Sequence, residues 1–223
     1  VDFFQDKNYL FTFENRDEFN ILYKENFIEE IYKPRIKLNP KLIIDIGGHI
    51  GLTTLYLKKL YPKAVIKVYE PNPISFQLLQ DNISINGISD VELNQVAVTN
   101  SFSTRDFFID NDNSWYSTSS LSEKGWNGTQ KLDKISIETI SFESILDLKP
   151  DFIKMDIEGA EQSLIKSNLE KLANTSYLAI EFHRSEQQNF KRMLKLLAQA
   201  GFITTVVEDK LDKGLSMIYA QRK

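Results

Sequence analysis

The feature that most constrains this chain is Asp45-Ile-Gly-Gly-His-Ile-Gly51, placed between an apolar run and an amphipathic stripe. Lys41-Leu-Ile-Ile-Asp-Ile46 is short, apolar and stops at glycines, as a buried parallel strand does. Leu52, Leu55, Tyr56 and Leu60 then recur at helical spacing until Pro62 closes the segment. A strand that passes through glycines into a helix needs a parallel neighbour and a crossover. The chain must therefore build an α/β layer architecture.

The same alternation continues downstream. Val65-Ile-Lys-Val-Tyr-Glu70 reads as a second strand broken by Pro71-Asn72-Pro73, and Ile74, Leu78, Leu79 and Ile83 as a second helix ending near Asn86-Gly87. Val91 to Val98 reads as a third strand. From Thr99 to Pro150 the alternation lapses, and 14 of the 20 residues from Asp110 to Thr129 are Asp, Asn, Ser, Thr or Gly, with Trp115 and Trp126 among them. That composition predicts a long polar loop, either an acceptor-recognition lid or an unstructured insertion. Strands resume at Lys134–Ile140, Phe152–Ile157 and Tyr177–Phe182, separated by a helix through Leu164, Ile165, Leu169 and Leu172. Phe190, Met193, Leu194 and Leu197 form a further stripe stopped by Gly201, and Phe202–Val207 with Leu215–Ala220 close the chain as an antiparallel pair. Residues 1–40 read as an N-terminal extension, a strand at Tyr9–Phe13 and a helix through Phe19, Leu22, Tyr23 and Phe27. Residues 41–223 form the main domain, with the polar insertion near 110–130.

Glycines at a strand-to-helix turn let a backbone approach closely, and a helix N-terminus offers N–H groups. The spacing here is Gly47, Gly48, Gly51, not the one-three-six pattern of a dinucleotide turn. The terminal Gly-Lys-Ser/Thr of a P-loop is missing. Asp45 stands two residues before the first glycine, where its carboxylate repels a pyrophosphate and tolerates a cation or free hydroxyls. Glu70 ends the second strand, at the edge where ligands bind in such sheets, and an acid there accepts two hydrogen bonds from a ribose diol. Asp45, Gly47, Gly51 and Glu70 together describe a site for a nucleoside without phosphates, and S-adenosylmethionine is the common ligand of that kind.

A second acidic stretch is Asp151-Phe-Ile-Lys-Met-Asp-Ile-Glu-Gly-Ala-Glu161. Alternation sends Phe152, Lys154 and Asp156 to one face, and Asp156, Glu158 and Glu161 crowd near a helix start. The helix dipole favours acids there without any further role. Gly159 permits a turn that brings the carboxylates towards the glycine turn. Glu181-Phe-His183 ends the next strand at the same edge, where His183 is a candidate imidazole base besides His49.

Asp45-Ile-Gly-Gly-His-Ile-Gly51, Glu70-Pro71, Lys154-Met-Asp-Ile-Glu-Gly-Ala-Glu161 and Glu181-Phe-His183 together resemble the FkbM family of S-adenosylmethionine-dependent methyltransferases. Ser119-Ser120-Leu121 and Glu138–Glu143 add weaker matches, so the likeness covers roughly residues 40–185. His49 stands where the family usually has a small residue or Asn, and Phe142-Glu143 replaces a more usual Leu-Asp. The resemblance implies a Rossmann-like class I methyltransferase sheet of seven strands, mostly parallel with the last antiparallel, and helices on both faces. It implies transfer of a methyl group to a hydroxyl of a sugar or small natural product. By the same resemblance Asp45, Gly47, Gly48 and Gly51 cradle the methionine part of the donor. Glu70, with Asn72 beside it, holds the ribose, and the region Asn94–Ala97, Ala97 included, walls the adenine. Asp156 sits between donor and acceptor, and Glu158 or His183 takes the acceptor's proton.

Composition narrows the alternatives. The 223 residues contain no cysteine, which excludes disulfides, iron–sulfur clusters and a thiol nucleophile, and only two histidines, which excludes a histidine-rich zinc site. The formal net charge of −4 speaks against a general nucleic-acid binder. No apolar run reaches 18 residues, and an acidic cysteine-free domain is most simply cytoplasmic. A metal at Asp156 and Glu158 lacks an evident third ligand, so none is expected. Two other readings stand beside methyl transfer. One is a glycosyltransferase-like enzyme, since Asp110-Asn-Asp112 resembles the Asp-x-Asp of metal-dependent glycosyltransferases, and the other is a catalytically silent interaction module. Asn82-Ile-Ser84 matches a glycosylation acceptor but lies in an expected helix.

Overall fold

The computed structural model describes residues 1–109, 133–185, 188–208 and 214–223. The polar segment near 110–130, with Trp115, Trp126, Ser119-Ser120-Leu121 and Asp110-Asn-Asp112, lies outside the described residues.

The chain runs through β1 (Asp2–Gln5), β2 (Leu10–Phe13), α1 (Arg16–Tyr23), a π-helical turn at Lys24–Ile28, β3 (Leu42–Ile46), α2 (Leu52–Leu60), β4 (Val65–Tyr69), α3 (Pro73–Ile85) and β5 (Val91–Asn94). It continues with β6 (Ala97–Thr99), β7 (Ser103–Ile109), β8 (Asp133–Ser141), α4 (Phe142–Leu146), β9 (Phe152–Met155) and α5 (Glu161–Ser167). The last elements are β10 (Tyr177–His183), α6 (Phe190–Gln199), β11 (Phe202–Glu208) and β12 (Leu215–Arg222).

Seven strands pair in the order β11-β12-β10-β9-β3-β4-β5. All contacts from β10 to β5 are parallel, and β12 runs antiparallel to both neighbours. From β3 the chain winds one way through β4 and β5, then returns to build β9 and β10 on the other side. The switch point, where crossovers leave a crevice beyond the strand ends, therefore falls between β3 and β9. Period-two alternation divides the buried side chains between the faces. Ile43 and Phe152 join a cluster with Leu55, Val68 and Leu79, while Ile44, Ile153 and Met155 join one with Leu164, Met193 and Leu197.

The stretch Val91–Val98, expected as one strand, divides. β5 stays in the main sheet, and β6 starts a second sheet of order β6-β8-β7. The strand at Lys134–Ile140 is real but pairs there, with Ser103–Ile109 as an antiparallel partner that the polar composition concealed. The N-terminal residues pack directly on the main sheet's helices. Phe11, Phe13 and Phe19 are buried in the same cluster as Leu55, and the rings of Phe13 and Phe19 stack at 4.1 Å. Asn82, completely buried, accepts from the backbone of Thr12 at 2.6 Å and donates to the carbonyls of Thr12 at 3.0 Å and Ile50 at 2.7 Å. One amide thus ties β2 to α3 and to the glycine turn, so Asn82 is structural and not a surface acceptor.

Candidate active site

The glycines of the turn are demanded first by the protein itself. Gly47 has φ +80°, and an added Cβ would lie 1.8 Å from the Asp156 carbonyl oxygen. A Cβ on Gly48 would lie 2.2 Å from Cγ1 of Val68, and one on Gly51 (φ +91°) 2.8 Å from Cδ1 of Leu79. The N–H groups of Gly47 and Gly48 both donate to the Tyr69 carbonyl, at 2.9 and 3.2 Å, so they bind β4 and not a ligand. His49 has φ +46°, a left-handed conformation in which Asn, Asp and His are enriched. That backbone requirement explains why a histidine can stand in a position otherwise small or Asn. Its ring faces Glu18 of α1 at 3.5 Å.

Glu70 is buried, and both carboxylate oxygens are in use: Oε2 accepts from the His49 N–H and Oε1 from the Asn72 N–H, each at 2.8 Å. Burial pushes its pKa up, and His49 and the two backbone donors pull the other way. Asn72 caps α3, its Oδ1 accepting from Ile74 N at 2.9 Å ahead of Pro73 in the first turn.

Asp45 and Lys154 are register partners on β3 and β9. Both are buried, with Lys154 Nζ 3.4 Å from Asp45 Oδ1 and 3.7 Å from Asp156 Oδ2. Lys154 also donates to the carbonyls of Ile46 and Gly47, and its ammonium lies 5.2 Å from the centre of the Tyr32 ring. Burial would lower the Lys154 pKa, but Asp45, Asp156 and Glu181 outweigh it and hold the group charged. Burial raises the Asp45 pKa against the pull of Lys154, and Thr54 Oγ1 donates to Asp45 Oδ2 at 2.7 Å.

Beyond β9 and β10 the acids and His183 converge. His183 Nδ1 lies 3.0 Å from Glu161 Oε1, and Nε2 lies 3.3 Å from Glu158 Oε2 and 4.0 Å from Asp156 Oδ1. Glu161 is completely buried and is fixed further by the Gly159 N–H at 3.1 Å and the Gln188 amide. Burial would lower the His183 pKa, yet Glu158, Glu161 and Asp156 drive it well above 6.5. Burial drives the Glu158 carboxyl well above its ordinary value, opposed by His183. Glu158 also holds φ +53°, a strained backbone of the kind found at functional sites. Glu181 is pushed to about 7 by burial and by Asp156. Asp156 Oδ1 and Glu158 Oε2 are buried and have no hydrogen-bond partner.

A cleft of about 160 Å³ opens where these groups meet. Gly47, His49, Asp156, Glu158 and His183 line one wall, and Glu18, Glu25, Asn26 and Tyr32 of the N-terminal segment line the other. Tyr32 crosses to the acids, its hydroxyl 2.5 Å from Glu181 Oε2 and 3.5 Å from Asp156 Oδ2. The structure thus gathers Gly47, Asp156, Glu158 and His183 into one space, with Asp45 immediately behind. Gly48, Gly51, Glu70 and Asn72 stand at the adjoining turns, outside the lining of that cleft. Ala97 packs with Phe107, Ile109 and Ile137 of the second sheet. Two site residues escape the sequence reading: Glu181, read only as part of a motif, and Tyr32, whose contacts span 124 and 149 residues; Glu161, read as one of the acids crowding the helix start, instead holds His183. The spacing also hid a third metal-type ligand, since single atoms of Asp156, Glu158 and His183 lie within 4.8 Å of one another.

The strand order, the switch-point crevice and the acid at the end of β4 define a Rossmann-like methyltransferase domain of class I. Solved structures of similar shape agree: precorrin-6y C5,15-methyltransferase of Geobacter metallireducens matches with a TM-score of 0.52 at 12% identity, over 96% of this chain and 94% of that one. Ribosomal protein L11 methylase of Lactobacillus delbrueckii subsp. bulgaricus matches with 0.52 at 13%, over 96% and 82%. TYW2 of M. jannaschii, solved in complex with AdoMet, matches with 0.50 at 14%, over 99% and 86%. The chain belongs to the FkbM methyltransferase family, whose domain model matches residues 45–204. Methyltransferase 1 of Beauveria bassiana is 36% identical over 78 residues, and the chain spans only 31% of that relative's length. Hexuronic acid methyltransferase AglP of Haloferax volcanii is 24% identical over 80% of this chain and 70% of its own length. The 2-O-methyltransferase NoeI of Sinorhizobium fredii is 28% identical over 70% and 68%. Among the described residues, no helix is long and apolar enough to cross a membrane.

Proposed function

We propose that this protein transfers a methyl group from S-adenosylmethionine to a hydroxyl of a sugar or small natural product. The observation that carries the reading is the Glu158 carboxylate in the cleft beside the glycine turn, its Oε2 ion-paired with His183 Nε2 at 3.3 Å but receiving no hydrogen bond. A buried carboxylate oxygen with an ion-pair neighbour but no hydrogen bond keeps a lone pair for a donor, and an acceptor hydroxyl is such a group. AglP, named a hexuronic acid methyltransferase, and NoeI, named a 2-O-methyltransferase, support a sugar-type acceptor and transfer to oxygen.

The residues fit the donor. Each oxygen of Glu70 already accepts one backbone N–H, and its remaining lone pairs can receive a ribose diol. Asp45, Gly47, Gly48 and Gly51 form the cradle for the methionine part, Asn72 fixes the turn beyond Glu70, and Ala97 lies on the adenine side. When bound, the donor supplies an activated methyl on a cationic sulfonium. The protein therefore has to align the acceptor oxygen and remove its proton. Asp156, whose carbonyl touches Gly47 and whose side chain lines the cleft, stands between the two substrates.

Glu158 takes the acceptor's proton as the new C–O bond forms and the C–S bond breaks. Burial raises its proton affinity, which strengthens it as a proton acceptor. His183, held at Nδ1 by Glu161, stays cationic and positions Glu158. Residues 1–40 act as an extension of the main domain that closes the cleft, and the expected compartment is the cytoplasm.

The test is calorimetric titration with S-adenosylmethionine and S-adenosylhomocysteine, with NAD as control. Micromolar binding of the adenosyl ligands, weakened in Glu70→Ala, supports the donor assignment, whereas well-folded protein that binds neither ends it. Glu158→Gln should then keep donor affinity and lose acceptor methylation by about 10²–10⁴-fold, the range of a general base.

A further inference from the structure

Resting on the methyl-transfer reading, we infer that the acceptor is a hydroxyl-bearing molecule that is neutral or carries an amine, and that uronates and other anions are rejected. Five carboxylates line the cleft: Glu18, Glu25, Asp156, Glu158 and Glu181. The basic groups there are already opposed by acids. Lys154 faces buried Asp45, His49 faces Glu18, and His183 is held between Glu158 and Glu161. An added anion meets a field that the protein itself only partly neutralises.

The hydrogen-bond inventory independently points the same way. Asn26, 1% exposed, lines the wall opposite the glycine turn from the π-helical segment Lys24–Ile28. Its Nδ2 donates to the Leu22 carbonyl at 2.9 Å, which leaves Oδ1 buried with no partner. Asp156 Oδ1 and Glu158 Oε2 receive no hydrogen bond either, with His183 Nε2 4.0 and 3.3 Å away. Both ring nitrogens of His49 also lack a hydrogen bond and can meet a hydroxyl as donor or acceptor, but the three oxygens are acceptors, so the ligand that satisfies them must bring donors. A hydroxyl or an ammonium does so, and a carboxylate does not. The N-terminal segment is by this account the acceptor wall, although the family match begins only at residue 45. The expected specificity also differs from that of the relative named a hexuronic acid methyltransferase.

The deciding experiment uses the full chain and hexoses of three configurations, each as a neutral methyl glycoside, a 2-amino sugar and a uronate. S-adenosylhomocysteine release reads turnover, and saturation-transfer NMR on protein loaded with S-adenosylhomocysteine reads binding. Like-charge opposition of this kind is expected to disfavour each uronate about a hundredfold against its neutral counterpart. Glu25→Gln, which removes one wall charge outside the Asp156–Glu158–His183 cluster, should narrow that gap several-fold. A uronate bound or methylated as well as its neutral counterpart overturns the inference, and so does loaded protein that binds no neutral or amino member. Titration with S-adenosylmethionine alone separates the two levels. No donor binding sinks methyl transfer itself, whereas donor binding with a preference for uronates sinks only the acceptor class.

Discussion

The Glu70 carboxylate accepts the backbone N–H of His49 at 2.8 Å, so the acid that ends β4 fixes the glycine turn that follows β3. Its other oxygen accepts the N–H of Asn72 at 2.8 Å and fixes the entry to α3. One buried side chain therefore sets the shape of both turns that would flank a nucleoside. Its ligand role and its structural role share the same atoms.

That double duty makes the two obvious substitutions differ. Glu70→Ala leaves two backbone donors unpaired at a buried site and should cost about 1–3 kcal/mol of stability for each one left unsatisfied. Glu70→Gln keeps one carbonyl acceptor and should lose less stability while still weakening adenosyl binding. Urea unfolding alongside calorimetry separates the effects. Equal stability of wild type and Glu70→Ala would show that the turns hold themselves.

Lys154 supplies a second case in which removal is worse than replacement. Lys154→Ala strands Asp45, fully buried, without its countercharge, and breaking a buried pair in this way costs about 3–5 kcal/mol. Adding Asp45→Asn removes the orphaned charge, so the double variant should recover a large part of the loss. Denaturant midpoints for the four proteins of the cycle provide the measurement, and strict additivity would mean that Lys154 acts through its carbonyl contacts alone.

The parallel sheet was readable because local signals recur: apolar runs ending in Gly or Pro, then helical stripes, at β3–α2 and β4–α3. The acids at the carboxyl edge were readable for the same reason, since Asp156, Glu158 and His183 each sit at a strand end that periodicity locates. What stayed hidden depends on distance in the chain. Tyr32 meets Glu181 only because Phe11, Phe13 and Phe19 fold the N-terminal segment against α2 and α3, and no spacing within residues 1–40 announces that contact. The division of Val91–Val98 between two sheets was hidden too. β6 leaves its neighbour to pair with β8, some forty residues later, and strand-like composition is indifferent to the partner.

Glu181 makes folding stability depend on pH, and the direction follows from its partners. Burial and Asp156 raise its pKa to about 7, while His183, Tyr32 and Lys154 oppose the rise. In the unfolded chain the group ionises near the ordinary value of 4.5. The unfolded state thus releases its proton first, and stability is lost as pH rises from about 4.5 to about 7, levelling above that. Glu181→Gln removes the penalty and can still accept from Tyr32. It should be more stable than wild type at pH 8, by up to about 3 kcal/mol, with the gap closing towards pH 5. Chemical unfolding at several pH values reads this directly, and a constant gap across the range would contradict it.

Metal removal tests the last relationship in the cluster. Asp156, Glu158 and His183 offer ligand atoms within 4.8 Å of one another, so the geometry alone would admit a divalent cation. The protonation state argues the other way. Three carboxylates hold the His183 pKa well above 6.5, and a metal must displace that proton before Nε2 can coordinate it. Near neutrality the imidazolium already supplies the positive charge that the acids require. Methyl transfer should therefore survive EDTA and be unchanged by added Mg²⁺ or Mn²⁺ at pH 7, while His183→Ala reduces kcat and leaves donor affinity within a few-fold of wild type. A requirement for either ion, lost together with its binding in Asp156→Asn and His183→Ala, would convert the proton site into a metal site and move the activating charge from His183 to the cation.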